Sequence, residues 1–310
     1  MDKYERKVPL EGLIIKGIAG FYFVKSGDKV FRCKARGIFK QRDMKPAVGD
    51  RVLMEEIPDN DDSLITDILP RKNSFIRPFI ANVDCFAVVI AAARPDPVLN
   101  VLDKFLLMAE KNYTDVVICI NKCDLALDTR KAKGRKAAEN IENIKKIYEP
   151  IYPVVCIDSV NGTGFDQLTE LVKGKITALA GPSGVGKSTI LNRLIPEAFA
   201  ETGSISEKSQ RGKHTTRHSE LFTIDEEEGT MIFDTPGFTS FDILEAEEDE
   251  LQHLFPEMAA CLGQCRYNDC RHIAEPDCGV IKAVEEGKID ESRYESYKAM
   301  LKEIRESKQY

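Results

Sequence analysis

The first 72 or so residues place apolar and polar positions in short alternating runs. These are Leu13–Ile15, Gly20–Val24, Val30–Ala35, Arg51–Glu56 and Ser63–Ile68, with glycines at 17, 20, 27, 37 and 49 between them. Five short strands in so little chain predict a small barrel of the OB or SH3-like kind. From Asn82 the pattern changes. Cys85–Ala93, Val116–Ile120 and Val154–Ile157 are unbroken apolar runs, as strands covered on both faces require. Helical stretches at Leu99–Asn112 and Thr129–Tyr148 lie between them, and further strands are expected at Ile176–Ala180 and Met231–Phe233. This alternation predicts a parallel, doubly wound α/β sheet. Past Phe238 come an acidic run from Glu245, a Cys/His cluster and a charged amphipathic helix from about Glu291 to Ser307. The expected division is a barrel over 1–72, an α/β domain over 73–240 and a C-terminal domain over 241–310.

Composition narrows the class. The chain has 310 residues, 43% apolar and 31% charged, the balance of an ordinary globular protein rather than a disordered one. No stretch approaches the roughly 20 apolar residues that span a bilayer, and MDKYERKVPLEG lacks the apolar core of a signal peptide. A cytoplasmic location is expected. The net charge of −7 argues against indiscriminate nucleic-acid binding, although a local basic face is compatible with it. Of nine cysteines, Cys33, Cys85, Cys119, Cys123 and Cys156 read as buried small hydrophobes, while four crowd between Cys261 and Cys278.

The strongest chemical signal is GPSGVGKS: Gly181, Pro182, Ser183, Gly184, Val185, Gly186, Lys187 and Ser188, followed by Thr189. It follows an apolar strand and opens a helical run, the context of a phosphate-binding P-loop. Its glycines let backbone N–H groups wrap a β-phosphate at a helix N-terminus. Lys187 would neutralise the β- and γ-phosphates, and the Ser188 hydroxyl would bind Mg²⁺. Asn121, Lys122, Cys123 and Asp124 spell NKCD directly after the strand VVICI. The Asp124 carboxylate can accept from both the N1–H and the exocyclic amine of guanine, a pair adenine cannot supply. Asn121 would support the other edge of the base, and the Lys122 stem would pack over the ring. DTPG, Asp234 to Gly237, follows the strand MIF. There Asp234 would hold a magnesium-bound water and the Gly237 N–H would sense the γ-phosphate.

Thr215 and Thr216 in GKHTTRH offer the second magnesium hydroxyl, Thr216 being preferred. Ser159 and Gly162, in SVNGTG, either close over guanine O6 or form a plain strand-to-helix turn. The order of these motifs is inverted: the two base motifs precede the P-loop, whereas an ordinary GTPase has them last. The expected fold is therefore a circularly permuted GTPase, with the γ-phosphate loop feeding directly into the C-terminal domain. Phe238 stands where many GTPases carry a water-orienting Gln, so intrinsic hydrolysis should be slow. His214 is the nearest catalytic candidate, with a solvated switch-loop histidine as the competing reading.

The C-terminal cluster, Cys265, Cys270, His272 and Cys278, supplies three thiolates and one imidazole. That set suits one tetrahedral, structural Zn²⁺, with free thiols or a disulfide pair as the competing reading; Cys261 and His253 could replace one ligand but read rather as non-ligating extras. In the first domain Lys29, Arg32, Lys34, Arg36, Lys40, Arg42 and Lys45 concentrate positive charge. They make either an RNA-binding or a solvated face, with Phe31 and Phe39 as stacking surfaces or core.

Together, the barrel, NKCD, GPSGVGKS, GKHTT, DTPGF and the Cys-Cys-His-Cys tail closely resemble the ribosome small subunit-dependent GTPase A (RsgA, or YjeQ) family. PAVGDRV at Pro46–Val52, ANVD at Ala81–Asp84 and NDCRH…DCGV extend the match over essentially the whole chain. The resemblance implies an OB-fold RNA-binding domain, a permuted GTPase domain and a helical zinc-binding domain. It implies a bacterial factor of late small-subunit maturation, acting as a monomer with GTP/GDP and away from membranes. Its hydrolysis would be stimulated by the small ribosomal subunit, whose rRNA the outer domains would grip. It also implies a hydrophobic residue in place of the catalytic Gln and a catalytic role for His214. A P-loop phosphotransferase is disfavoured by NKCD. An RNA-binding scaffold with a dead GTPase is disfavoured by the intact Lys187, Ser188 and Asp234.

Overall fold

A computed structural model describes residues 9–37, 39, 44–57, 61–196, 219–234 and 246–307. His214, Thr215, Thr216, Gly237, Phe238, Lys40 and Arg42 lie outside the described residues. By its internal contacts the chain divides into two compact units. The first comprises the described residues of Met1–Asp84, Val172–Leu179 and Leu194–Phe238; the second those of Cys85–Leu171, Ala180–Arg193 and Thr239–Tyr310.

In the first unit, β1 (Leu10–Ile18), β2 (Phe21–Ser26), β3 (Lys29–Ala35), β4 (Arg51–Glu56) and β5 (Ser63–Ile68) form the barrel. Pairing runs β1-β2-β3-β5-β4, and β4 returns to β1, so no barrel strand is left as a free edge. This closed five-strand order is that of an OB fold. Period-2 patterning sends Ile14, Val24, Cys33, Val52, Met54 and Ile65 to the interior, all fully buried. Phe39 is buried in the core, which removes it as a stacking surface. Among the described residues, Arg32 and Lys34 meet Phe21 instead, 5.3 and 5.0 Å from its ring centroid, and Lys45 meets Phe79 at 5.6 Å.

The same unit holds the hairpin β6 (Ser74–Ile76) and β7 (Phe79–Ala81) and three further strands. β11 (Ile176–Ala180) and β13 (Thr230–Asp234) run parallel, whereas β12 (Glu220–Asp225) is antiparallel to β13. The parallel sheet expected from the apolar runs gains an antiparallel strand, β12, for a local reason. The Asp225 carboxylate accepts from the Glu227 and Glu228 N–H groups at 2.9 and 3.1 Å, making a tight turn that permits only a hairpin. β12 in turn pairs with β1 at Glu220 and Lys16, whose side chains form a 2.8 Å ion pair.

In the second unit, β8 (Cys85–Ala91), β9 (Asp115–Asn121) and β10 (Val154–Cys156) are parallel in the order β10-β9-β8. Every β8 residue is buried, the reason its sequence reads as a continuous apolar run. The helices are α1 (Leu99–Lys111), α2 (Ala132–Tyr148), α3 (Phe165–Leu171) and α4 (Lys187–Leu194). In α2, Ala137, Ile141, Ile144 and Tyr148 recur at helical spacing and are buried. The C-terminal part adds α5 (Pro256–Ala259), α6 (Gly279–Glu285) and α7 (Glu291–Ser307). Leu254, Phe255, Met258, Tyr297, Met300 and Leu301 pack there into one apolar cluster that also takes in Leu107 of α1.

A buried ion network joins the same elements. Arg293 of α7 donates from Nη1 to Asp103 Oδ1 of α1 at 2.6 Å and from Nε to Glu257 Oε1 of α5 at 2.7 Å. The Tyr148 hydroxyl donates to the same Asp103 oxygen at 2.6 Å. The guanidinium lies 4.6 Å from the centroid of the Phe255 ring.

Candidate nucleotide and metal sites

Gly181–Ser188 leaves β11 and enters α4 at Lys187. Its glycines are used for their backbone freedom: φ is +132° at Gly181, +78° at Gly184 and +100° at Gly186. A Cβ at Gly181 would run into the Val89 carbonyl, and one at Gly186 into Asn121 Nδ2. The loop is thus a bare backbone cradle of the kind a phosphate needs. Pro182 is half-buried, Val185 is buried, and Ser183, Ser188 and Thr189 are exposed. Lys187 Nζ donates to the Gly181 and Pro182 carbonyls at 2.6 and 2.8 Å. Burial pushes its ammonium down to about 8, so an anion beside it would be strongly favoured.

NKCD folds onto this loop. Asn121 ends β9 fully buried, and its Nδ2 donates to the Val185 carbonyl at 2.8 Å. Its Oδ1 has no hydrogen-bond partner among the described residues. Lys122 takes a left-handed backbone, φ +62°, and its Nζ donates to the Gly184 carbonyl at 2.6 Å and to that of Arg94. Asp124 sits in the short 3₁₀ turn Cys123–Ala126. Segments separated by about 60 residues therefore converge through direct hydrogen bonds.

The third segment, Ser159 to Gly162, follows β10 in the same unit. Ser159 is buried, and the Asp158 carboxylate accepts from the N–H groups of Val160 and Asn161, each at 3.0 Å. Arg193 of α4 donates to the carbonyls of Val160 and Asn161. Neither Arg193 nor these carbonyls carry a local sequence signal. Asp234 closes β13, one residue beyond the Phe233–Ala178 pair with β11.

Residues 68–244 match the family model described as RsgA GTPase, and residues 11–65 that described as the RsgA N-terminal domain. The chain belongs to the RsgA GTPase family. A protein of Alkaliphilus metalliredigens named small ribosomal subunit biogenesis GTPase RsgA is 44% identical over 302 residues, 97% of this chain and 99% of its own. One of Clostridium perfringens (strain SM101 / Type A) with the same name is 46% identical over 296 residues, 95% of this chain and 98% of its own. The crystal structure of YjeQ from Thermotoga maritima superposes with a TM-score of 0.79 at 35% identity, covering 96% of this chain and 99% of that one. YloQ, described as a circularly permuted GTPase, gives 0.78 at 32% identity, covering 99% of both. As a member of the RsgA family the chain is a GTP hydrolase. The resemblance read from its motifs therefore holds.

The Cys/His cluster of this RsgA-family chain is compact. Ligand atoms of Cys265, Cys270, His272 and Cys278 all lie within 4.8 Å of one another. Cys265 Sγ and Cys278 Sγ are 3.9 Å apart, and His272 Nδ1 is 3.6 and 3.3 Å from them. Bonds of about 2.3 Å to sulfur and 2.0 Å to nitrogen place tetrahedral ligands about 3.5–3.8 Å apart, so the donor set fits Zn²⁺. His272 Nε2 lies 2.8 Å from Gln252 Oε1; as a donor to it, Nε2 leaves the Nδ1 lone pair for a metal. The N–H groups of Gly279 and Ile281 donate to Cys265 and Cys278 sulfur at 3.4 and 3.5 Å, support that a thiolate uses. The loop between ligands is knotted by Glu275, whose carboxylate accepts from the N–H groups of Arg271, Ile273 and Ala274. Burial opposes its charge, yet these donors hold it down at about 2. Cys261 is outside the group and donates to the Glu257 carbonyl at 3.6 Å. Cys33, Cys85 and Cys119 are buried as expected, whereas Cys123 and Cys156 are half-buried. No helix among the described residues is long and apolar enough to cross a membrane.

Proposed function

We propose that this chain is a GTP-hydrolysing factor of small ribosomal subunit biogenesis, acting late in maturation and stimulated by that subunit. The observation that carries the guanine reading is the pair of hydrogen bonds from Asn121 and Lys122 onto the carbonyls of Val185 and Gly184. They support the reading that NKCD and the Gly181–Ser188 loop serve one nucleotide. In this reading Asp124 accepts from guanine N1–H and the 2-amine, and Ser159 closes over O6. The N–H groups of Ser183 to Thr189 take the phosphates, Gly181 and Pro182 shape the loop, and Lys187 neutralises the phosphate charge.

Ser188 and Thr216 would hold Mg²⁺, which when bound draws charge from the β- and γ-phosphate oxygens. Asp234 would serve the same ion through water, and the Gly237 N–H would sense the γ-phosphate. His214 aligns the attacking water, because Phe238 has no polar atom to do so. Cys265, Cys270, His272 and Cys278 would hold one structural zinc, which ties a short, polar segment into a fixed shape.

The working domains are 1–72, which grips rRNA by its OB barrel, 73–240, which hydrolyses GTP, and 241–310, which adds a second rRNA contact. The protein acts as a monomer in the cytoplasm. Arg32 and Lys34, which flank Phe21 and share the Asp62 carboxylate, support the first contact, since the pair carries net positive charge beside a ring that can stack. Multiple-turnover phosphate release, with and without purified small subunits, tests the proposal, with Ser188→Ala as the inactive control. A rate that rises with subunit concentration is expected; an unchanged rate refutes ribosomal coupling. Equal affinity for GTP and ATP in calorimetry refutes the guanine reading.

A further inference from the structure

Arg193 stands near the end of α4, the helix that begins at Lys187. Its Nη1 donates to the Val160 carbonyl and its Nη2 to the Asn161 carbonyl, each at 3.3 Å. The guanidinium also lies over the Phe165 ring at the start of α3, 5.5 Å from the centroid. Val160 and Asn161 directly follow Ser159 in the loop behind β10.

The loop is shaped to receive this side chain. Gly162 has φ +89°, and a Cβ there would occupy the position of the guanidinium. The loop's N–H groups are taken by the Asp158 carboxylate and its C=O groups by Arg193, so both polar edges are partnered. Burial works against the Asp158 charge, but the Asn161 and Val160 donors and the Arg193 cation keep its carboxyl below the ordinary range. An unclamped loop would have to order itself each time a base entered, which costs affinity and speeds release.

We propose that Arg193 is a positioning residue for guanine recognition, fastening the Ser159 loop to the helix that carries the phosphate-binding Lys187. The inference rests on the guanine-nucleotide reading above. Arg193 acts through the loop and does not touch the nucleotide, so its loss should be felt most by the base atom the loop covers, O6.

The test is stopped-flow release of three fluorescent diphosphates from the full chain: those of guanosine, adenosine and 2-aminopurine riboside, the last lacking O6 and the N1–H. The change in its ratio to guanosine between wild type and variant, not the ratio itself, therefore reports on the loop. Arg193→Ala should speed guanosine diphosphate release about fivefold, the scale of two long hydrogen bonds, and narrow its ratio to the 2-aminopurine analogue. Arg193→Lys, retaining one donor, should fall between. Wild-type protein that releases the guanosine and adenosine ligands alike would remove the guanine reading itself. A guanine-selective wild type whose Arg193→Ala variant keeps the wild-type rate would overturn the clamp alone. So would equal acceleration of the guanosine and 2-aminopurine ligands, which marks general loosening. If Arg193→Ala fails to fold by circular dichroism, Arg193→Lys decides on the same ratio.

Discussion

Replacing Arg293 by Met tests how the C-terminal part of the second unit is held to α1. The Arg293 side chain is 1% exposed and its partner Asp103 is 0% exposed. Burial opposes the arginine's charge, but the Asp103 and Glu257 carboxylates more than offset it and hold its pKa above the ordinary value. Methionine keeps most of the volume and contact with Phe255, so the change is chiefly electrostatic. Removing one partner of a buried pair costs about 3–5 kcal/mol, because the remaining charge is left without compensation. Asp103 has little to fall back on: Oδ1 keeps only the Tyr148 hydroxyl, and Oδ2 has no partner among the described residues. Arg293→Met should therefore lie near the upper end of that range. In urea unfolding followed by far-UV circular dichroism, with a slope of about 1–3 kcal/mol/M, the midpoint should fall by at least about 1 M. Arg293→Met combined with Asp103→Leu should recover part of the loss, since the Asp103 charge is then gone and only that of Glu257, 10% exposed, remains unpaired. A single variant within about 1 kcal/mol of wild type would refute the reasoning. So would a double variant no better than the single.

Three further outcomes are expected. Asp124→Asn should lower the preference for GTP over xanthosine triphosphate by at least about tenfold, because an amide donor now faces the guanine N1–H; competition binding measures this. For Lys187, a value of about 8 that bound phosphates raise means that binding takes up a proton. Nucleotide affinity should then be full below pH 8 and fall as pH rises through it, by at most about tenfold per unit, with matching proton uptake in calorimetry across buffers. Elemental analysis should find about one zinc per chain in wild type and Cys261→Ser, and far less in Cys270→Ser, whose C-terminal cluster should lose protection from hydrogen exchange.

Much of the nucleotide site was legible because its chemistry demands contiguous residues. A phosphate cradle needs glycines at φ values other residues avoid, so Gly181, Gly184 and Gly186 fall within one short segment. The Cys265, Cys270, His272 and Cys278 cluster was equally visible, since its four donors come from one short loop. The barrel was legible in its strand runs, yet strand alternation does not say which side closes inward, so Phe21 of β2 was not read as the ring on the basic face, and it says nothing of Phe39, which lies between β3 and β4 and is buried. β12 was missed, since Leu221 to Asp225 carries a weak pattern and is fixed by its turn and by its neighbours β13 and β1.

By itself, then, the sequence determined the GTPase class, the candidate motifs, the thiolate-imidazole set that fits a metal, and their permuted order along the chain. Only the tertiary structure decided what supports them. Arg193 meets Val160 across 33 residues, Gln252 meets His272 across 20, and Arg293 meets Asp103 across 190. Such partners leave no local pattern, because each is chosen by the packing of distant elements rather than by the backbone around it.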